Sequence, residues 1–265
     1  MNVTIVGRGR VGRGLARSLG SAEDTVVALG GHRTPAAKLT NADVVVLAVP
    51  DDSIEAAAAE VSRHVRPTTV VLHCAGARGT GELASCQERG CPVGVMHPLV
   101  SFPSNRKTPS LEGTTFTVNG DPRAVAEARS IAKRCGARAV PGKTGNPAYH
   151  AAAAMAANGA AGLAFAAVAV LEGLGFSRRD AERAIGGLLR TVADNVQELG
   201  VPAALTGPVT RGEPETVARH RSAMRRRGKP ALESYDAILP VIVRCARAAG
   251  LPARKAREIL SQVNR

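Results

Sequence analysis

The chain of 265 residues is 45% hydrophobic with a mean hydropathy of −0.02, values that predict a soluble globular protein of one large domain or two ordinary ones. A chain of this length buries enough surface to fold without metal or disulfide staples. Its net charge of +13 indicates an anionic partner, but aromatic residues make up 2% of the chain, which argues against a base-stacking nucleic-acid reader.

The cysteine pattern, the start of the chain and one long apolar segment indicate the cellular compartment. None of the five cysteines has CxxC spacing, so we expect no metal site and free thiols in a cytoplasmic protein. No signal peptide is predicted at Met1. The uncharged segment Ala151–Leu171 is long enough to cross a membrane, but its richness in alanine and glycine predicts a buried central helix instead.

Strands and helices alternate through the first half of the sequence. The predicted strands are Val3–Val6, Thr25–Leu29, Val44–Val49, Thr69–Leu72, Val93–Met96, Thr115–Val118 and Ala137–Val140. The predicted helices among them are Gly9–Leu19, Ile54–Val65, Glu82–Glu88 and Pro122–Cys135. This order predicts an α/β fold in which residues 1–141 form a doubly wound, mostly parallel Rossmann sheet.

The second half, residues 142–265, carries helical patterns and no strand pattern. The predicted helices are Ala148–Gly173, Arg179–Leu199, Pro214–Arg227, Pro230–Ala249 and Pro252–Val263. We expect an all-α domain that closes on the substrate and pairs with a second copy in a homodimer.

A glycine motif at the start of the chain predicts the cofactor. Gly7, Gly9 and Gly12 fit G-x-G-x-x-G, follow the first strand and open the first helix. In this context the glycines permit a tight turn, close approach to a pyrophosphate and close helix packing, while helix N–H groups bind the anion. The remaining residues of the motif, Arg8, Arg10 and Val11, are expected to line the same loop.

The end of the second strand indicates which dinucleotide binds. An NAD site usually places Asp or Glu there, but this sequence reads His32-Arg33-Thr34. Arg33 can bind a 2′-phosphate in a bidentate way, Thr34 can add a hydroxyl, and Arg8 can add a second charge. We therefore predict NADP(H); a solvated loop arginine is the alternative interpretation of Arg33.

The other strand ends are expected to meet the cofactor and substrate along one edge of the sheet. Val49 and Pro50 follow the third strand, and Cys74 and Ala75 follow the fourth; all four are predicted cofactor contacts. The candidate substrate contacts at these strand ends are His73, His97 and Ser101. For each histidine taken alone, a structural role is the alternative.

The segments VTIVGRGRVGRGLARSL, DVVVLAVPDDSI, VLHCAGARG and GVMHPLVSF resemble the Rossmann-like NADP oxidoreductases. That group includes ketopantoate reductase, pyrroline-5-carboxylate reductase, prephenate dehydrogenase and deazaflavin-dependent NADP reductases. The segments YHAAAAMAAN and LTGPVTRGEPETVARH resemble the helical domain of unknown function that follows the Rossmann domain in one subgroup. The resemblance covers nearly the whole chain and implies its fold.

The resemblance also implies roles for single residues. The HPL segment is similar to the His-Pro stretch of prephenate dehydrogenases, which implies that His97 lies beside the substrate. Ketopantoate reductases carry a catalytic lysine on the first long helix, where this chain offers His150 and Asn158, ~12 Å apart along the axis, and no lysine. Tyr149 is an adjacent alternative to His150, and Lys143 lies just ahead of the helix.

The sequence therefore predicts an NADP(H)-dependent oxidoreductase that moves a hydride between nicotinamide and a small carbonyl or imine substrate. The resemblance favours a keto acid, and Arg211 is a candidate for binding its carboxylate, with an ion pair as the alternative. His150, His97 and Asn158 are the candidate catalytic residues. The competing hypotheses are a non-catalytic NADPH sensor and, with weaker support, a nucleic-acid-binding protein; no membrane partner is expected.

Overall fold

The structure is a computed structural model that describes residues 1–20, 36–103 and 108–262, together with the backbone of residues 26–30. The strands in these ranges are β1 (Asn2–Val6), β2 (Val26–Gly30), β3 (Val44–Leu47), β4 (Val70–His73), β5 (Val93–Pro98), β6 (Thr115–Gly120) and β7 (Arg138–Pro141). The helices of the first half are α1 (Arg10–Leu19), α2 (Ala36–Thr40), α3 (Ile54–Ser62), α4 (Ala84–Glu88) and α5 (Pro122–Arg134). The later helices are α6 (Pro147–Glu172), α7 (Arg178–Leu199), α8 (Pro214–Arg226), α9 (Lys229–Ala248) and α10 (Ala253–Leu260).

In the part of the chain that the structure describes, the strands form one sheet in the order β2-β1-β3-β4-β5-β6-β7. The first five strands are mutually parallel, β6 is antiparallel to β5, and β7 is parallel to β6. The predicted α/β class with a mostly parallel sheet and a helical second half is confirmed. The short helix α2 was missed because five residues are too few to show a helical period.

Two apolar layers cover the sheet, one on each face. One layer packs α1 and α5 on the sheet through Leu15, Leu19 and Ile131. The other layer packs α3 and the turn before α4 on the sheet through Ile54, Ala58 and Leu83. Every residue of β3 and β4 is buried, as expected for strands that are covered on both faces.

The register brings the carboxyl ends of four strands to adjacent points on one edge. Val6 pairs with Leu47, Leu47 with His73, and His73 with Val95. The loops that leave β1, β3, β4 and β5 therefore start side by side, which is where ligands bind in open α/β sheets.

The chain divides into two compact units, Met1–Met155 and Ala156–Arg265, so the division falls inside α6. The sequence-based boundary lies earlier, at residue 142. The assignment of residues 1–141 to cofactor binding and 142–265 to substrate binding and dimerisation stays a prediction.

The second unit has its apolar core among α8, α9 and α10, with Val217, Leu239, Val243 and Ile259 at its centre. The predicted burial of the long apolar helix is wrong for the single chain. Val168 is the buried residue of α6, and in the most apolar 18-residue window of this helix, with a mean hydropathy of 1.8, 6% of the residues are buried. By length and composition alone, α6 could cross a membrane.

Candidate functional site

Two glycines of the β1–α1 loop are required by the protein's own backbone. Gly7 has φ +124°, and a Cβ on it would lie 2.2 Å from the carbonyl oxygen of Ala48. A Cβ on Gly12 would lie 2.0 Å from the carbonyl oxygen of Gly7. These two positions fold the loop tightly against β3 and against itself.

Gly9 is different, because no described part of the protein explains its lack of a side chain. Its φ of −71° suits any residue, and the nearest atom to a Cβ there is the Ala48 oxygen at 4.0 Å. Gly9 is also the N-cap of α1, where no side chain caps the helix and the first turn carries no acidic residue. Open space beside uncapped N–H groups at the positive end of a helix fits a bound pyrophosphate.

The other residues of the motif have distinct surroundings. The Arg10 guanidinium donates to the carbonyl oxygen of Phe102 at 2.9 Å, which ties the glycine loop to the segment after β5. The Arg13 guanidinium donates to the Arg8 carbonyl at 2.8 Å, and the Arg8 side chain is exposed. Val11 is partly buried and packs against the core on the α1 face of the sheet.

The predicted 2′-phosphate contacts His32, Arg33 and Thr34 lie outside the described residues, so the choice between NADP and NAD stays a prediction. The third-strand contacts are described: Val49 is half-buried and Pro50 is exposed directly after β3. Both lie in the loop that leaves β3 beside the glycine loop.

His73 holds the loop after β4, and its geometry contradicts the predicted contact with substrate. The side chain is fully buried, its Nε2 donates to the Gly79 carbonyl at 2.9 Å, and its Nδ1 accepts from the Ala75 N–H at 3.2 Å. Burial lowers the pKa of His73, so the ring is neutral and both nitrogens are occupied. Ala75 is half-buried, and burial raises the pKa of the Cys74 thiol to about 12.

His97 lies near the end of β5 and is bonded to Tyr149 in the first turn of α6. Its Nδ1 is 2.7 Å from the Tyr149 hydroxyl oxygen, and the two rings meet edge to face with centroids 5.7 Å apart. Thr117 is buried and stands opposite His97 in the β5–β6 register. Asn146 fixes the start of α6 by accepting from the Ala148 N–H at 2.8 Å.

Two glycines make room for this cluster. A Cβ on Gly76 would lie 2.7 Å from Cε1 of His97, so the imidazole rests directly on the loop after β4. Gly145, with φ +81°, donates its N–H to the Gly76 carbonyl at 3.0 Å. The loop before α6 and the loop after β4 are thereby joined next to His97.

The surroundings keep His97 uncharged at neutral pH. Burial, followed by the neighbouring His150 and His73, lowers the pKa of His97 to about 4, while Asp51 opposes the shift. Burial also raises the pKa of Tyr149, and the neighbouring Thr117 opposes that change. The cluster is therefore a neutral imidazole next to a neutral phenol.

The remaining predicted residues are exposed, as a ligand-binding role requires, but no contact assigns them one. His150 follows Tyr149 on α6, Asn158 lies further along that helix, and Ser101 follows β5. Arg211 pairs with Glu213 at 2.6 Å in the second unit. Among the described residues, no group of three His, Cys, Asp or Glu side chains is placed to hold a metal ion.

Sequence reasoning missed Thr117 and the two glycines beside His97. The sequence does indicate Tyr149, because it is adjacent to His150 in the segment YHAAAAMAAN. It does not indicate Thr117, Gly76 and Gly145, because their relation to His97 arises from strand register and loop packing between distant parts of the chain.

The fold and the glycine loop define a class of protein, one with an N-terminal Rossmann-like domain followed by a helical unit. Two family models match the chain: a Rossmann-like domain over residues 33–98 and a domain of unknown function, DUF2520, over residues 114–239. The two matches follow each other along the chain in this order.

Solved structures share this fold across nearly their whole length. Protein TM1727 from Thermotoga maritima is 23% identical with a TM-score of 0.65, covering 93% of this chain and 99% of its own. An imine reductase from Streptomyces aurantiacus is 15% identical with a TM-score of 0.61, covering 98% and 99%. The pyrroline carboxylate reductase of Plasmodium falciparum, solved with NADP bound, is 13% identical with a TM-score of 0.59, covering 99% and 98%. At these identities the likeness is one of fold. A search of curated proteins found no match to the chain.

Proposed function

We propose that the protein is an NADP(H)-dependent oxidoreductase that transfers a hydride between nicotinamide and a small carbonyl or imine substrate, with a keto acid favoured. The observation that carries the proposal is the unfilled space at Gly9 on the uncapped start of α1, on the sheet edge that also holds His97. β1 and β5 are three strand spacings apart, or ~14 Å. Half of an extended dinucleotide and a small substrate fit that span.

The residues at this edge suit the binding of a dinucleotide. The glycine loop would hold the pyrophosphate, Val49, Pro50 and Ala75 would flank the cofactor, and Arg8 with Arg33 and Thr34 would hold the 2′-phosphate. NADPH bound there supplies the hydride for the reduction. The fold shared with a reductase solved with NADP bound supports the same cofactor.

The chain's own contribution is to orient the substrate and to stabilise charge on its heteroatom. His97 is neutral and half-buried, so it suits a hydrogen-bond donor better than a strong acid. His150 and Asn158 are proposed as further substrate contacts along α6, and Arg211 as a contact for a carboxylate. The chain's net charge of +13 agrees with an anionic substrate.

Cofactor binding and turnover together test the proposal. We expect the dissociation constant of NADPH to be at least tenfold below that of NADH, and Arg33→Asp to remove most of the difference. The charge-matched control is Arg17→Asp in the last turn of α1, away from the glycine loop. Loss of NADPH absorbance is then followed with keto acids, simple ketones and cyclic imines.

Two results would contradict the proposal. Equal affinity for the two cofactors in the unmutated protein would remove the NADP assignment. Tight NADPH binding without oxidation by any of these substrate classes would replace the enzyme by a non-catalytic NADPH sensor.

We also propose that the helical unit forms a homodimer through α6 and α7. Apart from Ala181, α7 has no fully buried residue, and its apolar stripe is exposed at Leu188, Val192 and Val196. An amphipathic helix gains most of its stability by covering such a stripe.

Glycines inside these two helices indicate that another helix packs closely against them. Gly159 and Gly162 in α6, and Gly186 and Gly187 in α7, each cost ~1 kcal/mol relative to alanine. A Cβ on any of them would meet no atom within 4 Å, so no described contact within the chain accounts for them. A second copy, whose matching surface is also exposed, would account for both the glycines and the apolar stripe.

A further inference from the structure

We infer that Tyr149 holds His97 in the neutral tautomer whose proton is on Nε2, and that this N–H binds the carbonyl oxygen of the substrate. The contact between His97 and the substrate rests on the proposed function. The tautomer of His97 concerns the protein alone and is tested without cofactor or substrate.

The direction of the His97–Tyr149 hydrogen bond follows from acidity and distance. A phenol O–H is a better donor than a neutral imidazole N–H, and an imidazole nitrogen is a better acceptor than a phenol oxygen. The separation of 2.7 Å is typical of an O–H donor, whereas N–H donors usually lie ~2.9–3.0 Å from their acceptors. Tyr149 therefore donates, and Nδ1 of His97 accepts. With Nδ1 engaged as the acceptor, the neutral imidazole carries its proton on Nε2.

Nε2 is the nitrogen that remains for a ligand. Among the described residues no protein group bonds this atom, and the His97 side chain is half-buried rather than enclosed. His73 provides the contrast, because both of its nitrogens are occupied by backbone groups.

A neutral N–H donor selects the kind of heteroatom that can bind. A carbonyl oxygen offers a lone pair, whereas an iminium cation offers no acceptor. In carbonyl reduction, the hydride adds to carbon, negative charge develops on oxygen, and a fixed donor stabilises that charge. The oxygen then takes one proton from water while His97 keeps its own. The site therefore favours a carbonyl substrate over an iminium ion.

Nitrogen-15 NMR of the histidine rings tests the tautomer directly. We expect His97 to show a protonated Nε2 and a bare Nδ1 in the unliganded protein. Tyr149→Phe should disturb this pattern. Because the lost bond stabilised the neutral ring, the pKa of His97 should rise in Tyr149→Phe.

The chain offers a matched control in its second histidine–tyrosine pair. His220 Nδ1 lies 3.1 Å from the Tyr235 hydroxyl, with the rings again edge to face, on α8 and α9. Tyr235→Phe removes the same atom from a similar pair, and we expect it to leave the His97 signals and the turnover number unchanged.

Kinetics complete the test. We expect Tyr149→Phe to lower the turnover number with a keto acid by roughly tenfold or more, with the NADPH dissociation constant and melting temperature near those of the unmutated protein. A proton on Nδ1 in the unmutated protein, or an unchanged turnover number in Tyr149→Phe, would overturn the inference while leaving the proposed function standing. The expected tautomer without any turnover would overturn the proposed function and, with it, the substrate contact.

Discussion

His73 and His97 lie near the ends of neighbouring parallel strands, yet they use their ring nitrogens differently. His73 bonds the backbone through both nitrogens and is fully buried, whereas His97 bonds Tyr149 through Nδ1 and leaves Nε2 for a ligand. The same residue type at two adjacent strand ends thus serves one structural role and one candidate chemical role.

Substitutions that keep one ring nitrogen at a time separate the roles of Nδ1 and Nε2. His97→Gln places an amide N–H near the position of Nε2, and His97→Asn places one near Nδ1. If the substrate oxygen binds Nε2–H, Asn should lower the turnover number by about 10²-fold and Gln by only about tenfold. Steady-state kinetics with a keto acid measure both, and thermal melting checks that both variants fold. The assignment of Nε2 would be wrong if Asn retained more activity than Gln.

The features that sequence reasoning predicted well are local. Gly7, Gly9 and Gly12 stand between a β-branched run and a helix, so neighbouring residues alone specify the turn. The buried strand Val44–Leu47 is likewise visible as an unbroken apolar run.

The features that it missed depend on distant parts of the chain. Thr117 lies opposite His97 through an antiparallel register that no local pattern encodes. The exposure of α6 was wrongly predicted because an apolar helix has the same composition whether its own chain or a second copy covers it.

A side chain at Gly9 should act on cofactor binding and leave the fold intact. In Gly9→Ala the added methyl meets no atom of the described residues closer than 4.0 Å, but it enters the space predicted for the pyrophosphate. We expect the NADPH dissociation constant to rise at least tenfold, with a loss of stability below about 1 kcal/mol at this N-cap. Fluorescence titration and thermal melting measure the two effects.

Gly81→Ala is the matched control for Gly9. A methyl added at Gly81 would likewise meet no atom within 4 Å in the part of the chain that the structure describes, and this glycine lies in the short turn before α4. The substitution should change neither NADPH binding nor stability. Unaltered NADPH binding in Gly9→Ala would place the pyrophosphate elsewhere.

A charge on the apolar stripe of α7 should break the proposed dimer. The side chain of Leu188 is 59% exposed in the single chain and would be buried between two copies. Leu188→Glu should then shift the mass in solution from twice the chain mass of 27.3 kDa to that of one chain. Gln197→Glu, on the opposite face of α7, is the control and should remain dimeric.

Analytical ultracentrifugation of the unmutated protein decides between a second copy and a membrane as the cover of α6 and α7. A monomer at micromolar concentration would contradict the dimer. Binding to lipid vesicles by such a monomer would assign the apolar surface to a membrane.

The lowered pKa of His97 predicts how stability depends on pH. The unfolded chain protonates this histidine near its ordinary pKa of 6.5, whereas the folded protein resists protonation until about pH 4. The unfolded state therefore binds more protons between these values, so the neutral ring's contribution is present above pH 6.5 and is lost as the pH falls toward 4. Each unit by which the fold lowers this pKa corresponds to about 1.4 kcal/mol of unfolding free energy.

Urea unfolding at pH 7 and pH 5 should show a smaller pH dependence in His97→Gln, which lacks the titrating ring but keeps His73 and His150. Equal pH dependence in the two proteins would mean that the fold does not hold His97 neutral.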